Sequence, residues 1–199
     1  MPRPTQTRPE REEYLMRIAL QVRSRANCVG TRVGALLAIE DRVVATGYNG
    51  TPEDMANCDE GGCYRCAHRD DYPSGSSYDL CICVHAEQNA LLTAARLGIP
   101  IKGATLYTTS RPCFGCTKEL LQAGVQAVFY LHDWSHPDEE LRHEYEKLQN
   151  RIPGGIRRID IDDPDEKWAI PSRVKSAGEM SGEILESGLR RSGNATASD

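Results

Sequence analysis

One pair of motifs limits the fold of this chain more than any other feature. The sequence HAE at 85–87 is followed, after 24 residues, by PCFGC at 112–116. Imidazole and thiolate groups are zinc ligands, and three protein ligands leave the fourth tetrahedral position open to water, as catalytic zinc sites do. Zinc lowers the pKa of such a water towards neutrality, and a nearby carboxylate such as that of Glu87 can then move its protons. We therefore expect one imidazole and two thiolates to meet at one zinc ion. The predicted ligands are His85, Cys113 and Cys116.

Both motifs are predicted to begin helices. His85 precedes an alanine- and leucine-rich run that extends to about Leu97, and Gly98 suits the position after its end. Pro112 is favoured in the first turn of a second helix, which Gly124 closes. The N-terminal end of a helix stabilises a thiolate, so this placement also suits the chemistry of the site.

The other elements follow from hydrophobic periodicity. An amphipathic helix begins near Glu10, and two short apolar strands at 33–39 and 42–47 are joined by a tight turn. The remaining predicted elements are strands at 104–109 and 125–131, a helix at 138–149 and a strand at 156–161. This order predicts an α/β fold with three layers (α/β/α), in which helices cover both faces of a mixed central sheet.

Length and composition bound the organisation of the chain. Its 199 residues suggest one domain, which we place at 10–165, preceded by a flexible arm at 1–9 and followed by a disordered tail at 170–199. A formal net charge of −5 argues against binding to polymeric nucleic acid. The sequence has no run of 18 apolar residues and no apolar signal segment, so we expect no membrane insertion and a cytoplasmic location.

Residues 53–84 are predicted to form a cysteine-rich insertion with little regular structure. Few large apolar residues occur there, so we expect metal rather than an apolar core to organise it. Its thiols include the pairs Cys63-x-x-Cys66 and Cys81-x-Cys83, a spacing typical of metal sites in a chain without an export signal.

Three blocks of sequence resemble the cytidine deaminase superfamily and, within it, the deoxycytidylate (dCMP) deaminases. They run from 33 to 52, which ends in GYNGTP, from 85 to 90, which reads HAEQNA, and from 103 to 116. The resemblance covers about residues 10–135. The zinc motif alone is also typical of tRNA adenosine, guanine and riboflavin-pathway deaminases, whereas the GYNGTP loop and the HAEQNA continuation favour the nucleotide branch.

The resemblance implies a cytidine-deaminase-like fold and zinc-dependent hydrolysis of dCMP to dUMP and ammonia, with Glu87 as the proton shuttle. It also implies possible regulation by dCTP and dTTP, and a homo-oligomer, commonly a hexamer. The alternatives are a deaminase of dCTP or deoxycytidine, and an inactive zinc-stabilised nucleotide-binding module. Glu87 argues against the inactive module, because a purely structural zinc site needs no proton shuttle.

We expect substrate contacts at Asn49, Ala86, Arg111 and Trp134. Asn49 matches the loop asparagine expected to hydrogen-bond the sugar hydroxyl. Arg111 is our candidate for the phosphate contact because a guanidinium can bind phosphate through two bonds, although an ordinary exposed arginine fits the sequence equally well. Trp134 stands where several relatives have a tyrosine, and an indole can stack on a pyrimidine without reproducing the phenol's hydrogen bond.

Some relatives hold a second, structural zinc, and Cys28 and Cys58 match two of its ligand positions. Cys83 matches a third, and our assigned fourth ligand is His68, with Cys63, Cys66 and Cys81 as alternatives. Seven candidate side chains exceed one tetrahedron, so two structural zinc ions, with a water or a shared thiolate among their ligands, remain open at this point. The remaining histidines are expected to be solvated; they are His132, His136 and His143.

Overall fold

The computed structural model describes residues 8–73 and 76–171. Residues 1–7 of the expected arm and 172–199 of the expected tail lie outside the described residues. The packed chain continues to Ile170, which is buried, and the carbonyl of Ala169 accepts a hydrogen bond from the backbone N–H of Arg32 at 2.8 Å. The folded part described here thus extends past residue 165.

Five strands form one mixed sheet, in the order β2-β1-β3-β4-β5. They are β1 (Gly34–Ile39), β2 (Arg42–Tyr48), β3 (Thr105–Ser110), β4 (Ala127–His132) and β5 (Ile156–Arg158). Strand β1 pairs antiparallel with β2 and β3, whereas β3, β4 and β5 run parallel to one another. The helices are α1 (Arg11–Arg23), α2 (Tyr64–Ala67), α3 (Ala86–Arg96), α4 (Phe114–Gln122), α5 (Glu139–Gln149) and α6 (Glu166–Ala169).

Alternate side chains of β1 belong to two separate apolar cores. Ala35 and Leu37 pack with residues of α3 and α4, while Leu36 and Ala38 pack with α1. Because successive side chains of a strand point to opposite faces, α1 covers one face of the sheet and α3 and α4 cover the other. The predicted three-layer α/β/α fold is confirmed.

The turn between β1 and β2 has two residues, and both lie in the left-handed region of backbone space. Glu40 has a φ of 48° and Asp41 a φ of 60°, the pattern of the two-residue turns that match strand twist. Asparagine and glycine adopt this conformation most readily, so two acidic side chains here are an uncommon choice.

Beyond β5 the chain leaves the sheet to complete a buried ionic network. Asp163 accepts two hydrogen bonds from the guanidinium of Arg23, both at 2.6 Å, and its Oδ2 lies 2.6 Å from Nε2 of His132. Both members of the ion pair have side chains that are only 2% exposed. The predicted strand at 156–161 therefore ends early, at Arg158, because Asp163 must reach α1 and β4.

The expectation that His132 and His136 are solvated is wrong. Both are buried, His132 through its contact with Asp163 and His136 within a group of aromatic rings. His143 is exposed, in agreement with the prediction. None of the helices within the described residues is long and apolar enough to cross a membrane.

The insertion at 53–84 has only single turns of helix in its described part. These are Cys58–Glu60, α2, Arg69–Asp71 and Tyr78–Leu80. Every buried residue at the described positions of this segment is a cysteine, namely Cys58, Cys63, Cys66 and Cys83. The segment thus has no apolar core of its own to hold these turns in place.

Candidate active site

The two sequence motifs meet where α3 and α4 begin. His85 is the residue that caps the N-terminus of α3, Cys113 holds the same position in α4, and Cys116 lies in the first turn of α4. Nδ1 of His85 lies 3.4 Å from Sγ of Cys113 and 3.3 Å from Sγ of Cys116. The fold therefore brings the three predicted ligands together, with their donor atoms within 4.8 Å of one another.

The separation of these donor atoms suits a tetrahedral zinc ion. Bonds of about 2.0 Å to nitrogen and about 2.3 Å to sulfur, set at the tetrahedral angle, place the two ligand atoms about 3.5 Å apart. The contacts of His85 are close to that value. One nitrogen and two sulfurs fill three of the four tetrahedral positions, and the fourth stays available to a reacting molecule.

The proton equilibria of the three side chains favour a bound cation. A hydrogen bond from Cys116, assisted by His85, lowers the pKa of Cys113 to about 4, so that this group is a thiolate at neutral pH. The Cys113 thiolate in turn raises the pKa of His85 to about 9, and its hydrogen bond with Cys116 raises the pKa of that thiol. A metal ion bound between these side chains would neutralise the charge of the thiolates.

Glu87 lies beside the candidate ligands and is buried. Its side chain is buried, with the residue 4% exposed, and Oε2 lies 3.7 Å from Sγ of Cys116. Burial raises the pKa of this carboxyl group above its usual value. The hydroxyl of Thr108 donates a hydrogen bond to Oε1 at 3.2 Å and so orients the group. A carboxyl group with a raised pKa can both accept and return a proton near neutral pH.

Two backbone contacts fix where α3 begins. A Cβ atom added at Gly47 of β2 would lie 2.2 Å from the carbonyl oxygen of Ala86 and 2.3 Å from the backbone nitrogen of Ala90. The first turn of α3 thus packs directly on the backbone of β2. In addition, Gly50 and Val84 exchange backbone hydrogen bonds of 3.3 and 2.8 Å, which hold the chain just before His85 against the loop after β2.

The predicted sugar contact, Asn49, lies in that loop and is buried. Its Oδ1 accepts a hydrogen bond from the backbone N–H of Val33, and its Nδ2 donates one to the carbonyl of Thr31, both at 2.8 Å. The side chain therefore holds the loop before β1 in position. An amide nitrogen carries two hydrogens, so the second hydrogen of Nδ2 can still serve a ligand.

Arg111 is not an ordinary exposed arginine, and its guanidinium already contacts other residues of the protein. Its Nε and Nη2 donate to Oε1 of Gln149 at 2.9 and 2.6 Å, and its Nη1 lies 3.2 Å from Oδ1 of Asp133. Gln149 in turn donates to the carbonyl of Pro112, the residue before Cys113. Arg111 thus connects α5 to the start of α4.

Trp134, predicted to lie near the base, belongs to a cluster of four rings. The ring of Tyr145 in α5 stacks on Phe114 with centroids 4.9 Å apart, and it also contacts Trp134 at 5.9 Å and His136 at 5.6 Å. Phe114 follows Cys113 directly, so this aromatic cluster adjoins one of the candidate ligands. The sequence alone does not predict that Tyr145 belongs to this cluster. Tyr145 lies on the apolar side of α5, but the sequence does not show which part of the molecule that side faces.

The other six cysteines meet in a second place. One of them, Cys83, lies two residues before His85 in the sequence. Two overlapping groups form, one of Cys28, Cys58, Cys66 and Cys83 and one of Cys63, Cys66, Cys81 and Cys83. Hydrogen bonds between the thiols lower the pKa values of Cys28 and Cys81 and raise that of Cys83.

His68 takes no part in either group, so its assignment as the fourth ligand is not supported. It is exposed, its Nδ1 lies 2.9 Å from the carbonyl oxygen of Tyr64, and its ring stacks on the Tyr64 ring at 4.1 Å. Cys66, two residues earlier in the single turn of α2, takes the place that the sequence analysis gave to His68.

Comparison with known proteins agrees with this geometry. The family model of the cytidine and deoxycytidylate deaminase zinc-binding region matches residues 9–132. A deoxycytidylate deaminase of Saccharomyces cerevisiae is 40% identical over 135 residues, which are 68% of this chain and 42% of that protein. A deoxycytidylate deaminase of Mycobacterium phage D29 is 38% identical over 132 residues, 62% of this chain and 96% of the phage protein.

Among solved structures, the dCMP deaminase of cyanophage S-TIM5 in complex with dCMP and dUMP has a TM-score of 0.59 and 28% identity. The match covers 77% of this chain and all of the phage chain. The chain spans less than half the length of the yeast proteins that it matches. The residues that the family model matches contain both motifs and strands β1 to β4.

Proposed function

This chain belongs to the family of cytidine and deoxycytidylate deaminases with a zinc-binding region, and on that premise we propose that it hydrolyses dCMP to dUMP and ammonia. One observation carries the proposal: the donor atoms of the three predicted ligands converge, and the buried carboxylate of Glu87 lies 3.7 Å from one of them. A purely structural zinc site has no use for such a carboxylate.

In the proposed reaction, His85, Cys113 and Cys116 would hold the zinc ion, which would supply the Lewis acidity that makes a water molecule nucleophilic at neutral pH. Glu87 takes one proton from the attacking water and passes it to ring nitrogen N3 as the water oxygen bonds to C4 of the base. It then takes the second proton from the same oxygen and passes it to the amino group, which leaves as ammonia when the C4–N bond breaks. Thr108 keeps Oε1 of Glu87 occupied, so that Oε2 serves the substrate side.

We assign substrate contacts to the residues that surround this centre. The second amide hydrogen of Asn49 is assigned to the sugar hydroxyl. The backbone N–H of Ala86, in the first turn of α3 where no helical carbonyl is available to it, is assigned to the carbonyl of the base. Trp134 and its aromatic cluster form the wall against which the ring of the substrate packs.

Arg111 is assigned to the phosphate group, although its guanidinium already has partners. Asp133 is 51% exposed, and an exposed ion pair is a weak interaction that a phosphate can replace at Nη1. Gln149 would keep the other side of the guanidinium in place during this exchange. The phosphate contact then distinguishes dCMP from deoxycytidine.

The proposal also covers the second metal site and the cellular compartment of the protein. We assign at least one structural zinc ion to the second group of cysteines, in addition to the catalytic ion. Thiolate ligands must stay reduced to bind metal, so we place the protein in the cytoplasm. Regulation by dCTP and dTTP, and assembly into a homo-oligomer, commonly a hexamer in the family, are parts of the same proposal.

A substrate panel separates this function from its alternatives. Ammonia release should be measured with dCMP, dCTP, deoxycytidine and guanine, and we expect the highest kcat/KM for dCMP. A higher value for dCTP or deoxycytidine would select that alternative, and no turnover of any of them would select the inactive binding module. The same assays with added dCTP and dTTP, together with sizing of the full chain, test the regulation and the assembly.

The role of Glu87 is tested with the variant Glu87→Gln. Turnover should fall about 10²–10⁴-fold, because general acid–base catalysis contributes that much, while the zinc content of the protein stays the same. The matched control is Glu12→Gln, an exposed carboxylate on α1, across the sheet from the site. Unchanged turnover in Glu87→Gln would contradict the mechanism.

A further inference from the structure

The six cysteines outside the catalytic site form a single buried group. Five of them are buried and one, Cys81, is partly buried, with Val29 packed against them. Five of them lie in the insertion at 53–84, and Cys28 joins them from the loop after α1. Since the buried residues described at 53–84 are all cysteines, this group is the centre on which the insertion is organised.

The group divides into two sets of four thiols that overlap. Cys28 and Cys58 belong only to the first set, and Cys63 and Cys81 only to the second. Cys66 and Cys83 belong to both sets. Two tetrahedral ions need eight ligand positions, and six thiolates fill eight positions when two of the six are shared.

The distances between the sulfurs also fit shared metal ions. Sγ of Cys81 lies 3.8 Å from Sγ of Cys63 and 3.9 Å from Sγ of Cys66. Two sulfurs bound to one tetrahedral zinc at about 2.3 Å are about 3.8 Å apart. A disulfide requires an S–S distance of about 2.05 Å, so these separations belong to ligand pairs and not to a bond between the sulfurs.

We propose that this chain holds a binuclear zinc cluster in which Cys66 and Cys83 bridge two ions, Cys28 and Cys58 complete the first, and Cys63 and Cys81 complete the second. With the catalytic ion, each chain holds three zinc ions. The inference does not depend on the proposed deaminase activity, because it uses none of the residues assigned to the reaction.

The cluster fits its surroundings in charge and position. Six thiolates and two divalent ions carry a net charge of −2, and the insertion provides arginines on both sides of Cys66. One of them, Arg69, donates from Nη1 to the carbonyl of Val29 at 2.9 Å and so holds the chain beside Cys28 against the insertion. Cys83, one of the bridging ligands, lies two residues before His85. The cluster therefore also positions the chain that enters the catalytic site.

Metal analysis of the purified full chain tests the proposal. We expect three zinc ions per chain and negligible iron by elemental analysis. The double variants Cys28→Ser/Cys58→Ser and Cys63→Ser/Cys81→Ser should each hold two, because each leaves four thiolates for the other ion. A single structural ion on Cys28, Cys58, Cys66 and Cys83 predicts two ions in the wild type and no change in the second variant. Either of these results would overturn the proposal.

A second measurement needs no variant and so does not depend on whether the variants fold. X-ray absorption at the zinc edge of the wild-type protein should contain a zinc–zinc scattering shell, since bridging thiolates hold two ions close together. Three ions without that shell would overturn the shared thiolates. A protein with the shell but without turnover would contradict the proposed function and leave the cluster standing.

Discussion

The two cysteine-containing sites of this molecule are held in opposite ways. At the catalytic site, His85 and Cys113 begin helices whose apolar sides pack on a five-stranded sheet. In the insertion, the described buried residues are the candidate ligands themselves. The fold positions the ligands of the first candidate metal site, whereas the proposed metal ions of the second would stabilise the segment that contains their ligands.

The two regions also differ in the source of their folding free energy. Leu106 and Val128 in the sheet and Leu120 in α4 are fully buried in the core that α3 and α4 cover, and each such side chain contributes about 1.5–3 kcal/mol through removal of apolar surface from water. The insertion has no comparable side chains among its described residues. Structural zinc in small domains supplies about 10–16 kcal/mol of folding free energy, which is enough to replace an apolar core.

Metal removal tests the comparison with the largest expected effect. After chelation of the full chain, amide hydrogen exchange at 53–84 should become more than about 10³-fold faster, because the ligands no longer hold the turns. The strands β1 and β3 should keep their protection, because apolar packing holds them. Mass-spectrometric exchange with and without chelator measures both at once. An equal increase in the strands and the insertion would show that the two regions are not held differently.

The ion pair between Arg23 and Asp163 tests the region of the molecule that does not depend on metal. The variant Asp163→Asn leaves the buried guanidinium of Arg23 without its charged partner, and we expect a loss of about 3–5 kcal/mol in the free energy of unfolding at pH 7. The loss should be the same with and without chelator, because the contact does not depend on metal. Chemical denaturation measures it. Glu53→Gln, which removes an exposed pair with Arg96, is the control and should cost less than about 1 kcal/mol.

The same contact has a defined pH dependence. Burial alone would raise the pKa of Asp163, but the hydrogen bonds from Arg23 and His132 outweigh it and lower the pKa from 3.8 to about 2. A carboxyl group with a lowered folded-state pKa stabilises the protein above its unfolded pKa, so the stabilisation is complete above about pH 4. It is lost as the pH falls from 3.8 towards 2. Both proteins lose metal in acid, so the difference between wild type and Asp163→Asn isolates this group; a difference at pH 2 as large as that at pH 7 would contradict the assignment.

The smallest expected effect comes from the close approach of β2 and α3. Gly47→Ala inserts a methyl group into the backbone of Ala86 and Ala90, and overpacking of this kind costs about 1–3 kcal/mol. Because the first turn of α3 carries His85 and Glu87, a shift of about 1 Å should also lower turnover by up to about 10²-fold. Thermal unfolding and kcat measure the two effects.

The chain offers a matched control on the other face of the sheet. A Cβ added at Gly34 would lie 2.3 Å from the carbonyl oxygen of Ala19 and 2.4 Å from the backbone nitrogen of Arg23. Gly34→Ala should therefore lose similar stability while the folded protein keeps its turnover, because α1 carries no ligand. If both variants lose turnover equally, the loss in Gly47→Ala does not come from a shift of α3.

The catalytic site could be predicted from the sequence because its signals are local and its chemistry is narrow. Few side chains bind zinc, and Pro112 and the alanine-rich run after His85 mark helix starts within a few residues of the ligands. The sheet was predictable for a similar reason, since the apolar runs of β1 and β2 lie close together in sequence. The roles of these residues in turnover stay predictions until the variants are measured.

Other features depended on contacts that spacing does not encode. Cys66 and His68 are two positions apart, and the direction of the single turn α2 decides which of them faces the other thiols. His132 is buried because Asp163, 31 residues later, returns to meet it. Thr108 reaches Glu87 only because β3 passes beneath α3. Each of these is a long-range consequence of packing.

The turn between β1 and β2 is a place where substitutions could raise the thermal stability of this chain. It lies at the opposite end of the hairpin from Gly47, where the pairing of Ile39 with Arg42 closes the strands. Glu40 and Asp41 hold a backbone conformation there that asparagine and glycine adopt with less strain. Heat resistance could thus be engineered at Glu40 without altering a ligand, a buried thiol or the ion pair between Asp41 and Arg11 at the start of α1.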